Sequence, residues 1–259
     1  MRAIFQDREK NIWFGHEGGG LSLYRDNKFI QFRKLDTLIY SNITSIFEDK
    51  FKQLWITTAA SGVFVLKDPL GESSLDYTHF VGKQNLSDRV FNYCITADST
   101  IFLITDAGIR KFNVSTQTFK VFHPKNLTDY FIVTTMLEDR DKNLWFGTYH
   151  GGLYKYDVTN DTTIIYDIRD GLSSNWISAI IQDSKGSIWA GTWGGGLTRI
   201  RDGELKVYNP ENGLEAKQIF SIIEDVEGNI LIGSSYKGFS IFKGDLFENY
   251  GEKEGLRNT

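Results

Sequence analysis

The sequence is poor in cysteine, proline and histidine. Its 259 residues include one cysteine, three prolines and four histidines. The single cysteine, Cys94, has no partner for a disulfide within the chain, and the scattered histidines lack the spacing of a zinc site. With 41% hydrophobic residues, the composition is not that of a disordered chain. We therefore expect a packed globular protein with no structural metal, no redox chemistry and no cofactor.

Long apolar runs and clusters of basic residues are missing as well. No stretch approaches the length of about 18 apolar residues that could span a bilayer, and a charged segment follows the first five residues at once, unlike a signal peptide. The net charge of −4 comes without a run of Lys or Arg. We expect neither nucleic acid nor direct membrane contact. The first residues resemble a strand within a repeat, which suggests a piece of a longer protein.

A repeat built on an aspartate followed by a tryptophan fills the chain. Two degenerate copies complete the set: Asp98 with Phe102, where we expect a turn shorter by two residues, and Asp225 with Leu231. The anchor residues recur about every 44 residues, a spacing typical of propeller blades. The four complete pairs are Asp7 and Trp13, Asp49 and Trp55, Asp139 and Trp145, and Asp183 and Trp189.

Each copy contains four short strands bounded by turn residues, and no segment has helical periodicity. A single four-stranded sheet cannot bury both faces, so neighbouring copies must stack. We predict an all-β protein, a single β-propeller domain of six four-stranded blades. Two interpretations stay open, that the six blades close on themselves or that they are part of a larger, seven-bladed or double propeller. The predicted blades span residues 1–41, 42–90, 91–131, 132–175, 176–217 and 218–259.

The repeated residues are best explained by structure. A Trp at one fixed strand position is what packing between adjacent sheets requires, and an Asp before a tight turn caps that turn through its side chain. The Gly-rich segments join two strands and open no helix, so they are turns and not phosphate sites. No nucleophile elbow and no Cys–His pairing is present. We predict no catalytic residues and no enzyme activity.

The fifth copy carries the most specific pattern. It reads Asp183, then Ile188 to Thr192, then Gly195 to Leu197, and it follows Gly171-Leu172-Ser173-Ser174-Asn175. This pattern resembles the two-component regulator propeller repeat. The resemblance is strong in blades one, four and five, moderate in blades two and six, and weak in blade three. It covers the whole chain.

The resemblance implies a setting that the residues alone do not supply. Such repeats typically form the periplasmic sensor of hybrid histidine kinase–response regulator proteins, and several sense oligosaccharides. The resemblance therefore implies a periplasmic ligand-sensing module of a two-component receptor that passes its signal to a histidine kinase absent from this chain. The expected partners are an oligosaccharide or other small ligand, a second copy in a homodimer, or other domains of the same receptor.

Functional residues are expected where loops vary between blades. The loops between second and third strands hold His16 and Glu17, Asp106, Tyr149 and His150, Trp193, and Tyr236 and Lys237. The loops between blades add Tyr40, Asn42, Tyr130, Phe131, Asn175, Trp176, Lys217 and Gln218. The predicted ligand-binding residues are Trp176, Trp193, Tyr149, His150, Asn175, His16, Glu17 and Tyr236.

Trp176 and Trp193 lead this set because neither occupies the repeated packing position. A Trp at a loop tip exposes apolar area unless something covers it, so each either contacts a ligand or folds over its own turn. Two other functions stay open beside sugar sensing: a structural or protein-interaction propeller that mediates assembly, and a propeller lyase or glycoside hydrolase, which would require paired carboxylates.

Overall fold

The structure is a computed structural model that describes residues 2–18, 20–32, 41–70, 76–82, 86–127 and 132–256. The chain forms two compact units, Met1–His123 and Pro124–Thr259. Each unit contains three four-stranded antiparallel sheets, in which the strands follow one another in sequence order. Besides strands, the described residues include two short 3-10 helices, Pro210–Asn212 and Glu252–Glu254.

The first unit holds blades 1 to 3. Blade 1 consists of β1 (Ala3–Gln6), β2 (Ile12–Gly15), β3 (Leu21–Arg25) and β4 (Lys28–Phe32). Blade 2 consists of β5 (Ile43–Glu48), β6 (Leu54–Thr58), β7 (Val63–Leu66) and β8 (Tyr77–Phe80). Blade 3 consists of β9 (Val90–Ile95), β10 (Ile101–Thr105), β11 (Gly108–Asn113) and β12 (Thr118–Phe122).

The second unit holds blades 4 to 6. Blade 4 consists of β13 (Val133–Glu138), β14 (Leu144–Thr148), β15 (Leu153–Asp157) and β16 (Thr162–Tyr166). Blade 5 consists of β17 (Ile177–Gln182), β18 (Ile188–Thr192), β19 (Leu197–Arg201) and β20 (Glu204–Tyr208). Blade 6 consists of β21 (Ile219–Glu224), β22 (Ile230–Ser234), β23 (Phe239–Lys243) and β24 (Leu246–Tyr250). The predicted fold class, an all-β propeller of six four-stranded blades, is confirmed.

The repeated Asp and Trp are joined by a hydrogen bond that the sequence pattern did not reveal. In blade 5, Oδ1 of Asp183 accepts from the backbone N–H groups of Lys185 and Ser187, as expected of a turn cap. Its Oδ2 accepts from the indole Nε1–H of Trp189 at 2.8 Å. The same bond recurs at 2.8 to 3.0 Å in blades 1, 2 and 4. One carboxylate thus satisfies both the turn and the buried indole, which would otherwise leave an unpaired N–H in the core.

Blade 3 corrects one prediction. The backbone N–H of Thr96 donates to the carbonyl of Thr100, and the N–H of Ser99 donates to the carbonyl of Thr96. This is the pattern that Asp49 makes with Gln53 and Lys52 in blade 2. Thr96 therefore occupies the repeated Asp position, and the turn is not shorter. Because the side chain of Phe102 has no N–H to donate, a carboxylate is not needed there; Asp98 lies two residues later and accepts from Thr96 Oγ1 at 2.5 Å.

Neighbouring blades within a unit pack through a knob and a socket. We call the sheet face that packs on the next blade the trailing face and the opposite one the leading face. The trailing face of blade 5 presents Trp189, Leu197 and Tyr208, which form one apolar cluster with Ile219 and Ile222 on the leading face of blade 6. A Cβ added to Gly191 would lie 2.7 Å from Cγ2 of Ile219, so glycine is the residue that leaves room for this knob.

Hydroxyl groups tie successive blades together at a bulge in the first strand. Thr44 donates to the carbonyl of Val90 at 2.7 Å, and Ser178 donates to the carbonyl of Ile219 at 2.5 Å. Thr134 in blade 4 makes the equivalent bond to Ile177 at 2.5 Å. Each of these side chains interrupts the regular register of its strand pair. The bulge position therefore has a structural role in blades 2, 4 and 5, each of which is followed by another blade of the same unit.

Candidate functional site

Two loop positions of the second unit meet at the same end of its blades. Trp176 lies directly before β17, and Trp193 directly follows β18. The backbone N–H of Trp193 donates to the carbonyl of Trp176 at 2.9 Å, which fixes the two residues side by side. The loop after Trp193 is held by the next blade, since the N–H groups of Gly194 and Gly196 both donate to the carbonyl of Lys217 at 2.9 Å. Backbone bonds therefore position both indoles.

A glycine makes this loop tight enough to form. Gly196 has a φ of 89°, and a Cβ placed on it would lie 2.3 Å from the carbonyl oxygen of Tyr208. Any side chain would thus meet both backbone strain and a steric clash. Its N–H donates to the next blade as described, and its carbonyl accepts from the buried hydroxyl of Thr192 at 2.9 Å. Trp193 is consequently presented by a rigid turn.

Four aromatic side chains lie in contact along this loop face, and we call them the aromatic row: Tyr149, Trp176, Trp193 and Phe220. The ring centroids of Tyr149 and Trp176 are 4.4 Å apart in an edge-to-face contact. Trp176 and Trp193 stack at 5.0 Å with an interplanar angle of 26°. Trp193 and Phe220 meet at 4.9 Å, again edge to face. His150 flanks the row, with its ring 5.8 Å from that of Trp176.

The row is partly open to solvent. Tyr149 is 38% exposed and Phe220 54% exposed, whereas both indoles are half-buried because they cover part of each other. An exposed apolar surface held by fixed backbone is costly in water and suits a ligand that offers apolar C–H groups. The structure is thus compatible with both roles expected for the two indoles, local packing and ligand contact. The indoles pack on one another and still form an accessible surface with their neighbours.

The other predicted site residues lie outside the row. Asn175 supports the loops, since its Oδ1 accepts from the N–H of Ile168 at 2.9 Å and its carbonyl accepts from Gly152 at 2.8 Å. Tyr236 is 80% exposed, and no ring contact with it occurs among the described residues. In the first unit, Nε2 of His16 lies 2.9 Å from Oγ of Ser22. Glu17 there forms an ion pair with Arg2 at 2.8 Å.

The remaining loop candidates have mostly backbone or local roles. Asp106 accepts a hydrogen bond from Ser87, the carbonyl of Asn42 accepts from the N–H of Ala59 at 2.9 Å, and Gln218 forms an isolated bridge with Trp193. Lys237 helps to line an open depression of about 520 Å³ together with Glu215, Asn249 and Lys253. This depression shares no lining residue with the aromatic row. Tyr40, Tyr130 and Phe131 lie outside the described residues.

Phe220 is the member of the row that sequence reasoning missed. It occupies the bulge position of β21, where Ser178 of blade 5 and Thr134 of blade 4 donate to the next blade. Phe220 lies in a strand and not in a variable loop. The sequence nevertheless sets it apart, because the equivalent position in the two other blades of this unit holds a residue with a hydroxyl group.

No group of His, Cys, Asp or Glu side chains among the described residues could hold a metal ion. Within the same part of the chain, no helix is long and apolar enough to cross a membrane. The site therefore consists of aromatic surface and backbone polar groups.

The fold neighbours include extracellular domains of two component systems and a lyase. The extracellular domain of a hybrid two component system from B. thetaiotaomicron is 16% identical and superposes with a TM-score of 0.71, covering 97% of this chain and 43% of that domain. A second such domain from the same organism is 21% identical with a TM-score of 0.60, covering 100% of this chain and 46% of that domain. Virginiamycin B lyase from Staphylococcus aureus is 12% identical with a TM-score of 0.72, covering 96% of this chain and 83% of the lyase. At these identities the likeness establishes the fold alone.

This chain thus spans less than half the length of the two B. thetaiotaomicron domains. No curated protein sequence matches it. The family model of the two component regulator propeller does match, in residues 37–60, 126–150 and 171–194. These segments include the anchors Trp55, Trp145 and Trp189; blade 1, which the pattern ranked with blades 4 and 5, is not among them, and blade 2 is. Three segments of the chain are thus similar to the two component regulator propeller repeat, on a fold shared with extracellular domains of hybrid two component systems.

Proposed function

We propose that the chain is the ligand-sensing part of a two-component receptor and binds an oligosaccharide on its aromatic row. The observation that carries the proposal is the partly exposed row Tyr149–Trp176–Trp193–Phe220, held in place by backbone hydrogen bonds. Sugar rings present C–H faces that pack on aromatic rings, while their hydroxyls hydrogen-bond to polar groups nearby. The bound signal passes to a histidine kinase outside this chain, and the module lies in the periplasm.

The arrangement of the row supports a ligand longer than one sugar. Because the four rings form three successive contacts of 4.4 to 5.0 Å, their exposed parts make an extended apolar strip. His150 and Tyr149 add an imidazole and a phenol at one end of this strip. Such mixed surfaces, with an apolar body and polar groups at the rim, are typical of sites that orient a ligand.

Titration of the full chain with short neutral and acidic oligosaccharides tests the proposal by calorimetry and by tryptophan fluorescence. We expect binding to at least one class of glycan, with a change in indole emission because both Trp side chains lie in the row. Trp193→Ala should weaken that binding about tenfold, which corresponds to about 1.4 kcal/mol.

Tyr77→Ala is the matched control. Tyr77 is an aromatic residue of the first unit with 42% exposure, close to that of Tyr149, and it lies in strand β8 and is not a member of the row. The control should bind like the unaltered chain. The proposal fails if no oligosaccharide binds, or if Trp193→Ala and Tyr77→Ala have the same effect. Release of new reducing ends or unsaturated products during the titration would contradict a purely binding function.

A further inference from the structure

Two isoleucines, one on a leading face and one on a trailing face, are exposed. Residues at the same two strand positions of other blades are buried or half-buried. On the leading face, Ile46, Ile180 and Ile222 are at most 7% exposed, but Ile4 of blade 1 is 60% exposed. On the trailing face, Phe47 of blade 2 is 1% exposed, but Ile223 of blade 6 is 59% exposed. The strand registers place Ile4 opposite Phe14 and Ile223 opposite Leu231, as expected for these positions.

The whole trailing face of blade 6 shares this exposure. In blade 5 the residues Trp189, Leu197 and Tyr208 are at most 3% exposed, because blade 6 covers them. The registers align them with Leu231, Phe239 and Tyr250 of blade 6. These three side chains are half-buried at most. Blade 6 thus carries the apolar face of a blade that another blade is meant to cover.

An open socket lies in the same face. A Cβ on Gly191 would meet two side chains of the next blade, Ile219 at 2.7 Å and Ile222 at 3.1 Å. For Gly233, the equivalent glycine of blade 6, the three nearest atoms to an added Cβ all belong to Ser221 of its own strand pair. The glycine that makes room for a knob is present, and no knob from another blade occupies the space nearest to it.

Blade 1 presents the complementary face. Its leading side carries Ile4 together with Phe14, Tyr24 and Phe29, whose parity in the strand registers places them on one side of the sheet. Phe29 is 72% exposed, and its ring centroid lies 5.7 Å from that of Phe14 and 4.8 Å from that of Tyr24. Ile222, the second side chain that reaches the space at Gly191, has Ile4 as its equivalent in blade 1.

The two faces also carry the donor position and the acceptor position of a hydrogen bond that recurs between blades. At three of the four seams inside the units, the N–H of the residue after the turn Asp donates to the last side chain of the first strand in the next blade. Arg8 donates to Glu48 at 3.1 Å, Arg140 to Gln182 at 2.8 Å, and Ser184 to Glu224 at 2.7 Å. The same donor position in blade 6 is Val226, which is fully exposed. The same acceptor position in blade 1 is Gln6, which is also exposed.

We propose that the chain associates head to tail with a second copy of itself, the trailing face of blade 6 receiving the leading face of blade 1 from the other molecule. Ile4 then enters the socket at Gly233, and Gln6 accepts from the N–H of Val226. A contact between two different faces is heterologous, so it continues into rings or filaments as the concentration rises. Phe220 replaces the hydroxyl that ties internal seams, so this seam is weaker than those within a unit. The association requires no ligand on the aromatic row.

Sedimentation velocity over a concentration series tests the association with the full chain. We expect dimers and larger species to grow with concentration. Ile223→Asp and Ile4→Asp should each abolish species larger than the monomer at concentrations where the unaltered chain associates, because each places a charge in one half of the seam. Both side chains are largely exposed, so neither substitution disturbs the core.

Mixing the two variants separates this seam from any other surface. Ile4→Asp keeps an intact blade 6 face, and Ile223→Asp keeps an intact blade 1 face. An equimolar mixture should therefore form a one-to-one dimer and nothing larger. Gly233→Ala gives a second, smaller probe: its added Cβ displaces only the Ser221 hydroxyl at 2.4 Å but fills the socket. We expect it to raise the dissociation constant about tenfold.

Ile164→Asp is the matched control, because Ile164 is 53% exposed on the outer strand β16 of blade 4. It therefore lies neither on the leading face of blade 1 nor on the trailing face of blade 6. It should associate like the unaltered chain. A chain that stays monomeric at every concentration overturns the proposal, and would leave a further blade from a longer polypeptide as the occupant of these faces. Association that neither Ile4→Asp nor Ile223→Asp reduces overturns it as well, since another surface would then be responsible.

Discussion

The two units use the same backbone to present different side chains. In the second unit the loop positions carry Tyr149, Trp176 and Trp193; the equivalent positions of the first unit carry Glu17, Asn42 and Ala59. The backbone bond that links the last two of each set is 2.9 Å in both, from Trp193 to Trp176 and from Ala59 to Asn42. The bulge position that closes each set holds a phenylalanine in both units, Phe220 and Phe91.

This difference separates the shared frame from the candidate site. The turn glycines, the Asp–Trp bonds and the loop hydrogen bonds recur in both units, so they cannot explain an aromatic row that only one unit has. The aromatic row differs only in side chains placed on a common frame. Changes to the frame should therefore act equally on both units, and changes to the row should act on the second unit alone.

The largest effect is expected where the shared frame is tightest. Gly62→Ala and Gly196→Ala each put a Cβ within 2.0 and 2.3 Å of a carbonyl oxygen, in addition to a positive φ. Each should lower the free energy of unfolding by about 3 kcal/mol or more in chemical denaturation. Gly203→Ala has a positive φ and no atom within 4 Å, so it should cost about 1 kcal/mol. Equal losses for all three variants would show that backbone strain alone is responsible.

A smaller and equal effect is expected from the buried indoles. Trp55→Phe and Trp189→Phe remove the N–H that donates to Asp49 and Asp183 at 3.0 and 2.8 Å. Each leaves one carboxylate oxygen without its donor, so we expect a loss of about 2 kcal/mol in either unit. Phe102→Leu, at the position where blade 3 has no such bond, should cost only its packing term. A loss confined to one unit would break the equivalence of the two frames.

A third experiment exchanges the side chains that distinguish the units. Trp176→Asn combined with Trp193→Ala gives the second unit the residues of the first, and should abolish the stacked-indole signal in circular dichroism with a cost of about 1 kcal/mol. Asn42→Trp combined with Ala59→Trp should create such a signal in the first unit, because the backbone spacing is the same. Failure of the second pair to stack would show that the frames differ in a way the backbone bonds do not reveal.

The smallest effect concerns the two blades without the Asp–Trp bond. A side-chain hydrogen bond from Asn229 holds the pKa of Asp225 below its ordinary value of 3.8, and one from Thr96 lowers the pKa of Asp98 in the same direction. A carboxylate whose pKa is lower in the folded state stabilises the protein above the ordinary pKa, and this contribution is lost as the pH falls through the folded-state pKa. NMR titration should find both carboxyls below 3.8. For Asp225→Asn, the stability deficit should shrink at acid pH.

The sequence predicts the frame better than the site, for a physical reason. The repeated spacing of Trp13 and Trp189 places both in the core, because packing between blades imposes that spacing. The sequence does not identify Thr96 as the repeated position, because the acidic residue two positions later resembles the repeated Asp; only the hydrogen bonds of the turn identify the true position. An irregular copy offers no repetition to correct such a shift.

The row itself was predictable only in part. Trp176 and Trp193 are predictable as site residues because they lie outside the repeated positions. The contacts of Trp176 with Tyr149 and with Trp193 follow from the loop geometry. Phe220 lies in a strand, where an aromatic residue is unremarkable, and its membership depends on a bulge that turns it outward. The side chains that meet in the folded protein depend on strand register in three dimensions, and residue spacing along the sequence does not predict that register.

The Asp–Trp bond has a consequence for the order of folding. It joins residues only six positions apart, so the turn, the first hairpin and the core indole of a blade form together from local contacts. The hydroxyl ties between blades join residues 41 to 46 positions apart and must wait for a second blade. Because closing a short loop costs less entropy and is faster, each blade should build its first hairpin before any seam. Tryptophan burial would then report the earliest kinetic phase.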